Sequence, residues 1–345
     1  MTRTLVSTFL LFAAASCVAA PPAEASYFNL GPAGDFNLFV FNDNTQSGSD
    51  AEGRVAVGGN ALLGSFTVAS SMGNTTDNLI VGGNFSNNGT QLHGGLLVGG
   101  DLTWNTPTAF GRVAVNGNAT FIGGGSVAGP VNVVGTYSAP GYFPPNQNTG
   151  VNPFPFDFND VESYLVSQAA YMASLPTNGT VDINPWNGAL TLTASNPADT
   201  YISFDVTGAE MAEAAGGGLT INAPAGSTVV VNVTGPVSSM TNFGIFLNGV
   251  DKQHVLYNFH DATSLLLNQI GVLGTILAPL ADVNFAGGAI DGTIIAKNLT
   301  GPGESHLFLF QGDLPLEPVP EPATIALGAM GFLALLAVRM RRKSA

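Results

Sequence analysis

Apolar residues along this chain come in short β-branched or leucine runs, each closed by a glycine pair or by Asn-Gly. VAVGGN ends at Asn60, IVGGN at Asn84, LVGGD at Asp101 and VAVNGN at Asn118, with a worn VNVVGT ending at Thr136. The valines before these corners, Val57, Val81, Val98 and Val115, follow one another after 24, 17 and 17 residues, and Val133 or Val134 continues the series. GTILA at Gly274 returns as GTIIA at Gly292, after 18 residues. Val, Ile and Thr fit a pleated strand, whereas Gly and Asn tolerate the positive φ of a tight corner. A unit of this length holds two or three short strands with their corners, which is one coil of a parallel β-solenoid with ~4.8 Å between coils. In TVVVNVT, Val229, Val231 and Val233 form an apolar face opposite a mixed one. A β-sandwich would alternate in the same way, but it does not predict one phrase recurring at one offset. The fold class is therefore mainly β, a parallel β-solenoid (β-helix), with Gly274 and Gly292 at equivalent corners near its end.

One segment breaks the pattern. DFNDVESYLVSQAAYMASL lacks glycine and carries a helical stripe of Val161, Leu165 and Met172, widened by Tyr164, Tyr171 and Leu175. It predicts an amphipathic α-helix over about 159–175 along one flank, with Asn159 and Glu162 as the N-cap pair and Pro176 as the stop. The preceding YFPPNQNTGVNPFPF is a crossing loop, so a single domain is expected over 26–318.

Both ends are processing segments. Residues 1–25 hold Arg3, an apolar run and small residues, the layout of a secretory signal peptide for Sec export, cut between Ala25 and Ser26. Residues 319–345 begin with Val319-Pro320-Glu321-Pro322. An uncharged stretch over about 323–338 predicts a membrane helix, and Arg339, Arg341, Arg342 and Lys343 form a basic stop-transfer tail on the cytoplasmic side. This three-part end resembles the PEP-CTERM sorting signal of Gram-negative bacteria. The resemblance implies that an exosortase recognises Pro320, Glu321 and Pro322, and that an inner-membrane-anchored precursor goes on to the cell surface or extracellular matrix.

Composition narrows the chemistry. Cys17, the one cysteine, lies in the signal peptide, so the body has no disulfide and no thiolate site. The chain carries a net charge of −14, and between Ser26 and Pro318 its only cations are Arg54, Arg112, Lys252 and Lys297. Such a body repels nucleic acid and anionic surfaces. Its surface must consist largely of Asn, Thr, Ser and Gly, which suits neutral polar partners.

Candidate sites read mostly as architecture. The glycine pairs form no GxGxxG or P-loop, and no GxSxG or HExxH occurs. His254 and His260 with Asp261 are a weak metal candidate. Glu304 and His306 point to one side of a strand, as a clasp on the last coil rather than a catalytic pair. Arg54 and Arg112 share the slot GRVAV, which with Glu52 nearby predicts ion pairing on the solenoid wall. Asp43, Asp50 and Glu52 offer oxygen ligands for Ca²⁺, although their spacing departs from the EF-hand pattern. N-x-[ST] triplets at Asn74, Asn88 and Asn118 read as turn chemistry.

FNLFVFNDNTQSGSDAEGRVAVGGN (36–60) and VLGTILAPLADVNFAGGAIDGTIIAKNLTGPGESHLFLFQGDLP (272–315) resemble the opening and close of the choice-of-anchor A family, bacterial surface proteins that share one adhesive body. The final coils are also similar in style to those of β-solenoid ice-binding proteins. The resemblance implies a non-enzymatic adhesin-like protein that meets extracellular polysaccharide or a cell-surface ligand. A polysaccharide-active β-helix enzyme would need clustered Asp, Arg and Lys. Ice binding would need a flat Thr-rich face, for which Thr191 and Thr193 in LTLT are the one hint, with no ladder of such phrases following.

Overall fold

The computed structural model describes residues 29 to 316, apart from Thr75 and Tyr142. The signal peptide with Ala25 and Ser26, the sorting residues 320–322, the helix at 323–338 and the basic tail lie outside these residues. Among the described residues no helix is long and apolar enough to cross a membrane.

The repeat winds as its period predicts. Val57, Val81, Val98, Val115 and Val133 stand side by side in parallel strands, one coil apart. Each coil turns three corners and so contributes to three faces. In the first coil these strands are Leu38–Val40, Asn44–Ser47 and Asp50–Ala51. The 24-residue step is an excursion between Val68 and Asp77, where the other coils connect directly. In the C-terminal half the strands lengthen and run round corners, as in Thr275–Asp291.

Spatial order departs from chain order. Leu38, Phe39 and Val40 pair with Ile294, Ile295 and Ala296 on one side and with Val55, Ala56 and Val57 on the other. The first coil therefore stacks on the last, and the solenoid's middle is where the chain both enters and leaves. The coil carrying Glu304 and His306 is thus internal rather than terminal, since Ser305 pairs with Ala51 of the next coil. Gly274 and Gly292 do occupy stacked corners, and a Cβ on Gly292 would meet the Gly274 carbonyl at 2.0 Å.

One face is buried on both sides. Phe39, Ala56, Ile80, Leu97 and Ala114 point outward from it, as do Val230, Leu256, Leu277 and Ile295. All are covered by helix α1 (Phe158–Ser174) and by the aromatic residues before it. Val161, Leu165, Ala169 and Met172 of α1 are fully buried there, so the predicted stripe is the packed one. Its cap differs. Asp157 is the N-cap, its side chain accepting from the Asn159 N–H, because the helix starts earlier than Asn159.

Both outer edges of this face are closed by an asparagine side chain. Asn146 accepts from Val133 N and donates to Val133 O, both at 2.8 Å. Asn178 accepts from Ser203 N and donates to Tyr201 O, also at 2.8 Å. Each amide mimics one residue of a further strand and so blunts part of its edge against pairing.

At the C-terminal-half end, a short helix α2 (Gly208–Glu213) stands in for a strand, started by a Thr207/Glu210 capping box. There the third face continues as a four-stranded sheet of Gly179–Ile183, Leu190–Ala194, Leu219–Ala223 and Ile245–Gly249. Its first two strands form an antiparallel hairpin, an exception to the parallel order.

Candidate adhesive surface

The second face, exposed along its length, carries three columns of side chains in register. At the corner that opens it, a carboxamide and carboxylate ladder runs through Asp282, Asn298, Asp43, Asn60, Asn84, Asp101 and Asn118 to Thr136. Asn298 donates its amide to Asp282 Oδ1 at 2.7 Å, and the Asp43 N–H donates to Asn298 Oδ1 at 2.9 Å. The N–H groups of Asn60, Asn84, Asp101, Asn118 and Thr136 then each donate to the side-chain oxygen one coil earlier, at 2.7 to 3.0 Å. Parallel coils bring identical positions together, so one Asx side chain per coil can accept from the next corner's backbone without a break.

Coil stacking and this ladder together explain the two glycines of the repeated phrase. A Cβ on the first, Gly82 or Gly99, would stand 2.3 or 2.2 Å from the carbonyl oxygen of the equivalent glycine one coil back. A Cβ on the second, Gly100 or Gly117, would strike the ladder oxygen of Asn84 or Asp101 at 2.3 or 2.4 Å. Close approach of backbone and ladder favours glycine at both positions, although Asn116 takes the first in VAVNGN.

Two residues further on, the outward column reads Asn284, Thr300, Thr45, Leu62, Ser86, Thr103, Thr120 and Ser138, each paired with its neighbour in register. Every member is exposed. A third column holds Ser47, Gly64, Asn88, Asn105 and Ile122, with Asn105 donating to Asn88 Oδ1 at 2.9 Å. Gly64 lacks a side chain between Ser47 and Asn88, which leaves a shallow depression lined by Thr45, Leu62, Ser86 and Thr103. A column of six hydroxyls, interrupted by Leu62, therefore exists, contrary to the sequence expectation. Its signal is the triplet [ND]-x-[ST] in NDNT, GGNFS, GGDLT, NGNAT and AKNLT. Of the triplets read as turns, the one at Asn118 contributes its Asx residue to the ladder and Thr120 to the column, whereas Asn88 lies in the third column.

The candidate calcium ligands are not brought together. Asp43 belongs to the ladder, where its Oδ1 takes both the N–H and the side-chain amide of Asn60. The chain turns a corner at Gly48 (φ +70°), which puts Asp50 and Glu52 on the third face. There a Glu52 carboxylate oxygen accepts from the Leu307 N–H at 2.9 Å. Nor do His254 and His260 converge. His254 bonds Asp251, and His260 lies near Thr234 and Asp261. Among the described residues no group of three or more His, Cys, Asp or Glu is placed to hold a metal ion.

Glu304 and His306 form a clasp, as expected, and it is larger than the pair. His306 Nδ1 bonds Asp291 Oδ1 at 2.6 Å, His306 Nε2 lies 3.3 Å from Glu304, and Lys252 Nζ bonds Asp291 Oδ2 at 2.5 Å. The hydrogen bond to Asp291 raises the pKa of His306 against the lowering effect of burial. Burial would raise Asp291, but bonds from Lys252 and His306 hold it below its ordinary value.

The two arginines part ways. Arg112 binds both carboxylate oxygens of Asp77, at 2.8 and 2.5 Å. Arg54 does not pair with Glu52. It lies over the Phe36 ring at 4.2 Å, gives an N–H to the Asp77 carbonyl, and is shifted downward by burial.

The sequence matches two known family models. Residues 29–307 match the model of the Putative Ice-binding-like adhesive domain. The chain belongs to this family. Its adhesive-domain solenoid is followed by a match to the PEP-CTERM protein-sorting motif over residues 318–343, which implies processing by an exosortase and export to the cell surface through a membrane-anchored precursor. No curated protein matches the chain. Among solved structures, the crystal structure of an ice binding protein from an Antarctic bacterium Flavobacteriaceae aligns over 84% of this chain and 100% of that one. The identity is 13% and the TM-score 0.31, too low to carry an argument.

Proposed function

We propose that this is an adhesive surface protein of the choice-of-anchor A type, holding matrix polysaccharide or a similar neutral polar ligand along its second face. The observation that carries this is the unbroken ladder, with an exposed column of mostly Thr and Ser two residues further on. A stiff array repeating every ~4.8 Å lets many weak hydrogen bonds act on one extended ligand. The few cations of the chain leave little to hold an anionic one.

The test is retention of the purified protein on immobilised matrix polysaccharide, with Thr103 and Thr120 replaced together by Lys. Both side chains are exposed, so the fold is unaffected, and retention should fall at least tenfold. Retention equal to wild type, or catalytic release of labelled polysaccharide fragments, sinks the reading. The in-register Thr and Ser column also supports ice binding as a second reading. Thermal hysteresis abolished by the same double substitution would establish it.

A further inference from the structure

We propose that the outer surface of the four-stranded sheet is a second, separate carbohydrate site, a stacking platform on which Trp186 and Phe246 receive sugar rings of a neutral polysaccharide.

Trp186 is 93% exposed, yet its loop is built to hold it there. The Trp186 N–H donates to Asn184 Oδ1, the Ala189 N–H to Asn187 Oδ1, and the Gly188 N–H to the Asn184 carbonyl. The indole is thus presented by a pinned hairpin rather than a loose loop, which reduces the ordering cost of binding.

Phe246, 57% exposed, points outward from Ile245–Gly249. A Cβ on Gly244 would stand 2.9 Å from its Cζ, and one on Gly218 would stand 3.3 Å from its Cε2. The far edge of the ring therefore reaches over two glycines, where any side chain would crowd it, and the residue stays more than half exposed. The two aromatic residues share one margin of the sheet. The Asn187 carbonyl packs on Gly216, two residues before the glycine under Phe246. Two strand steps separate the hairpin from Ile245–Gly249, about 10 Å.

Polar side chains fill the surface beside them. Thr191 and Thr220 continue the column of Phe246, and Thr193, Asn222 and Asn248 form the next. Asn248 donates to Asn222 at 2.8 Å, and Asn222 to Thr193 at 3.1 Å. A pyranose chain matches this arrangement because its C–H faces stack on aromatic rings while its hydroxyls reach amides and alcohols at the side. Asp182 is the one charged side chain in the two outward columns, so the platform offers no cation to an anionic glycan and selects a neutral one. This inference shares its ligand class with the adhesive reading but not its surface.

The full chain supplies its own probe. It has two tryptophans, of which Trp104 is 0% exposed, so acrylamide quenches Trp186 selectively. Cellohexaose, laminarihexaose and chitohexaose are titrated in turn, with an alginate oligomer as the anionic control. At least one neutral hexamer should shield Trp186 and shift its emission to the blue, whereas alginate should not. Phe246→Ala should weaken that affinity roughly five- to tenfold by calorimetry, the effect of losing one aromatic stacking contact. The proposal is overturned if no neutral hexamer shields Trp186, or if alginate shields it equally. Shielding only by phosphatidylcholine–phosphatidylglycerol vesicles overturns it in favour of membrane contact. Loss of polysaccharide retention in the Thr103/Thr120 variant but not in Trp186→Ala would overturn the platform alone, and the converse would overturn the second-face assignment alone.

Discussion

At the residue scale, the phrase V-G-G-[ND] is a steric solution. The first glycine lets one corner sit on another's carbonyl, and the second makes room for the Asx oxygen that accepts from the following coil. Gly100→Ala should destabilise the protein by about 1–3 kcal/mol, the cost of forcing atoms into a packed site. Asn84→Ala removes the acceptor of the Asp101 N–H and should cost about 1 kcal/mol, as for one lost hydrogen bond. Urea denaturation checks both. Equal stability of Gly100→Ala and wild type would mean that the corners are looser than the contacts imply. The glycines were legible in the sequence as corner residues, through their spacing. Their second role was not, because it depends on an oxygen 16 residues earlier in the chain that only coil stacking brings near.

At the element scale, the clasp of Lys252, Asp291, His306 and Glu304 joins the turn Lys252–His254 to the strands Thr275–Asp291 and Glu304–His306, beside the junction of the first and last coils. His306 has a folded pKa above its ordinary 6.5. Its contribution to stability is therefore complete below that value and is lost as pH rises through the folded pKa. Asp291 is held below 3.8, so its contribution is complete above that value and is lost as pH falls through the folded one. Asp50 nearby is raised, first by burial and then by Glu304 and Glu52, and so also favours the acid side. Thermal melts should show a lower Tm at pH 8.5 than at pH 5.5, and His306→Gln should shrink that difference. An unchanged difference in the variant would place the pH sensitivity elsewhere. The sequence showed Glu304 and His306 to lie on one side of a strand. It could not show Asp291 or Lys252 joining them, since those residues arrive from other coils. Helix α1 was legible through its apolar stripe, whereas its cap was misplaced because Asp157 precedes the periodic pattern.

At the scale of the whole molecule, winding was readable from the repeat, but the order of winding was not. Nothing local in residues 36–60 or 272–315 states that these segments lie against each other, although both carried the family resemblance. The sorting segment also belongs to this scale. Changing Glu321 to Ala should leave full-length precursor in the inner membrane on immunoblots of fractionated cells. Normal release would show that the Pro-Glu-Pro element is not what the exosortase reads.

The meeting of first and last coils has a mechanical corollary. The Leu314 N–H donates to Asn29 Oδ1 at 2.9 Å, and Gln168 of α1 bonds the Pro315 carbonyl. Both ends of the described chain therefore leave from one spot, on the helix-covered flank, halfway along a stack of 11 strands. Pulling on a stacked rod from its tip peels windings away one at a time. A tether leaving here grips the rod at its waist, so tension is borne by the inner windings and by α1 together, while both tips and the two uncovered faces hang free of the load.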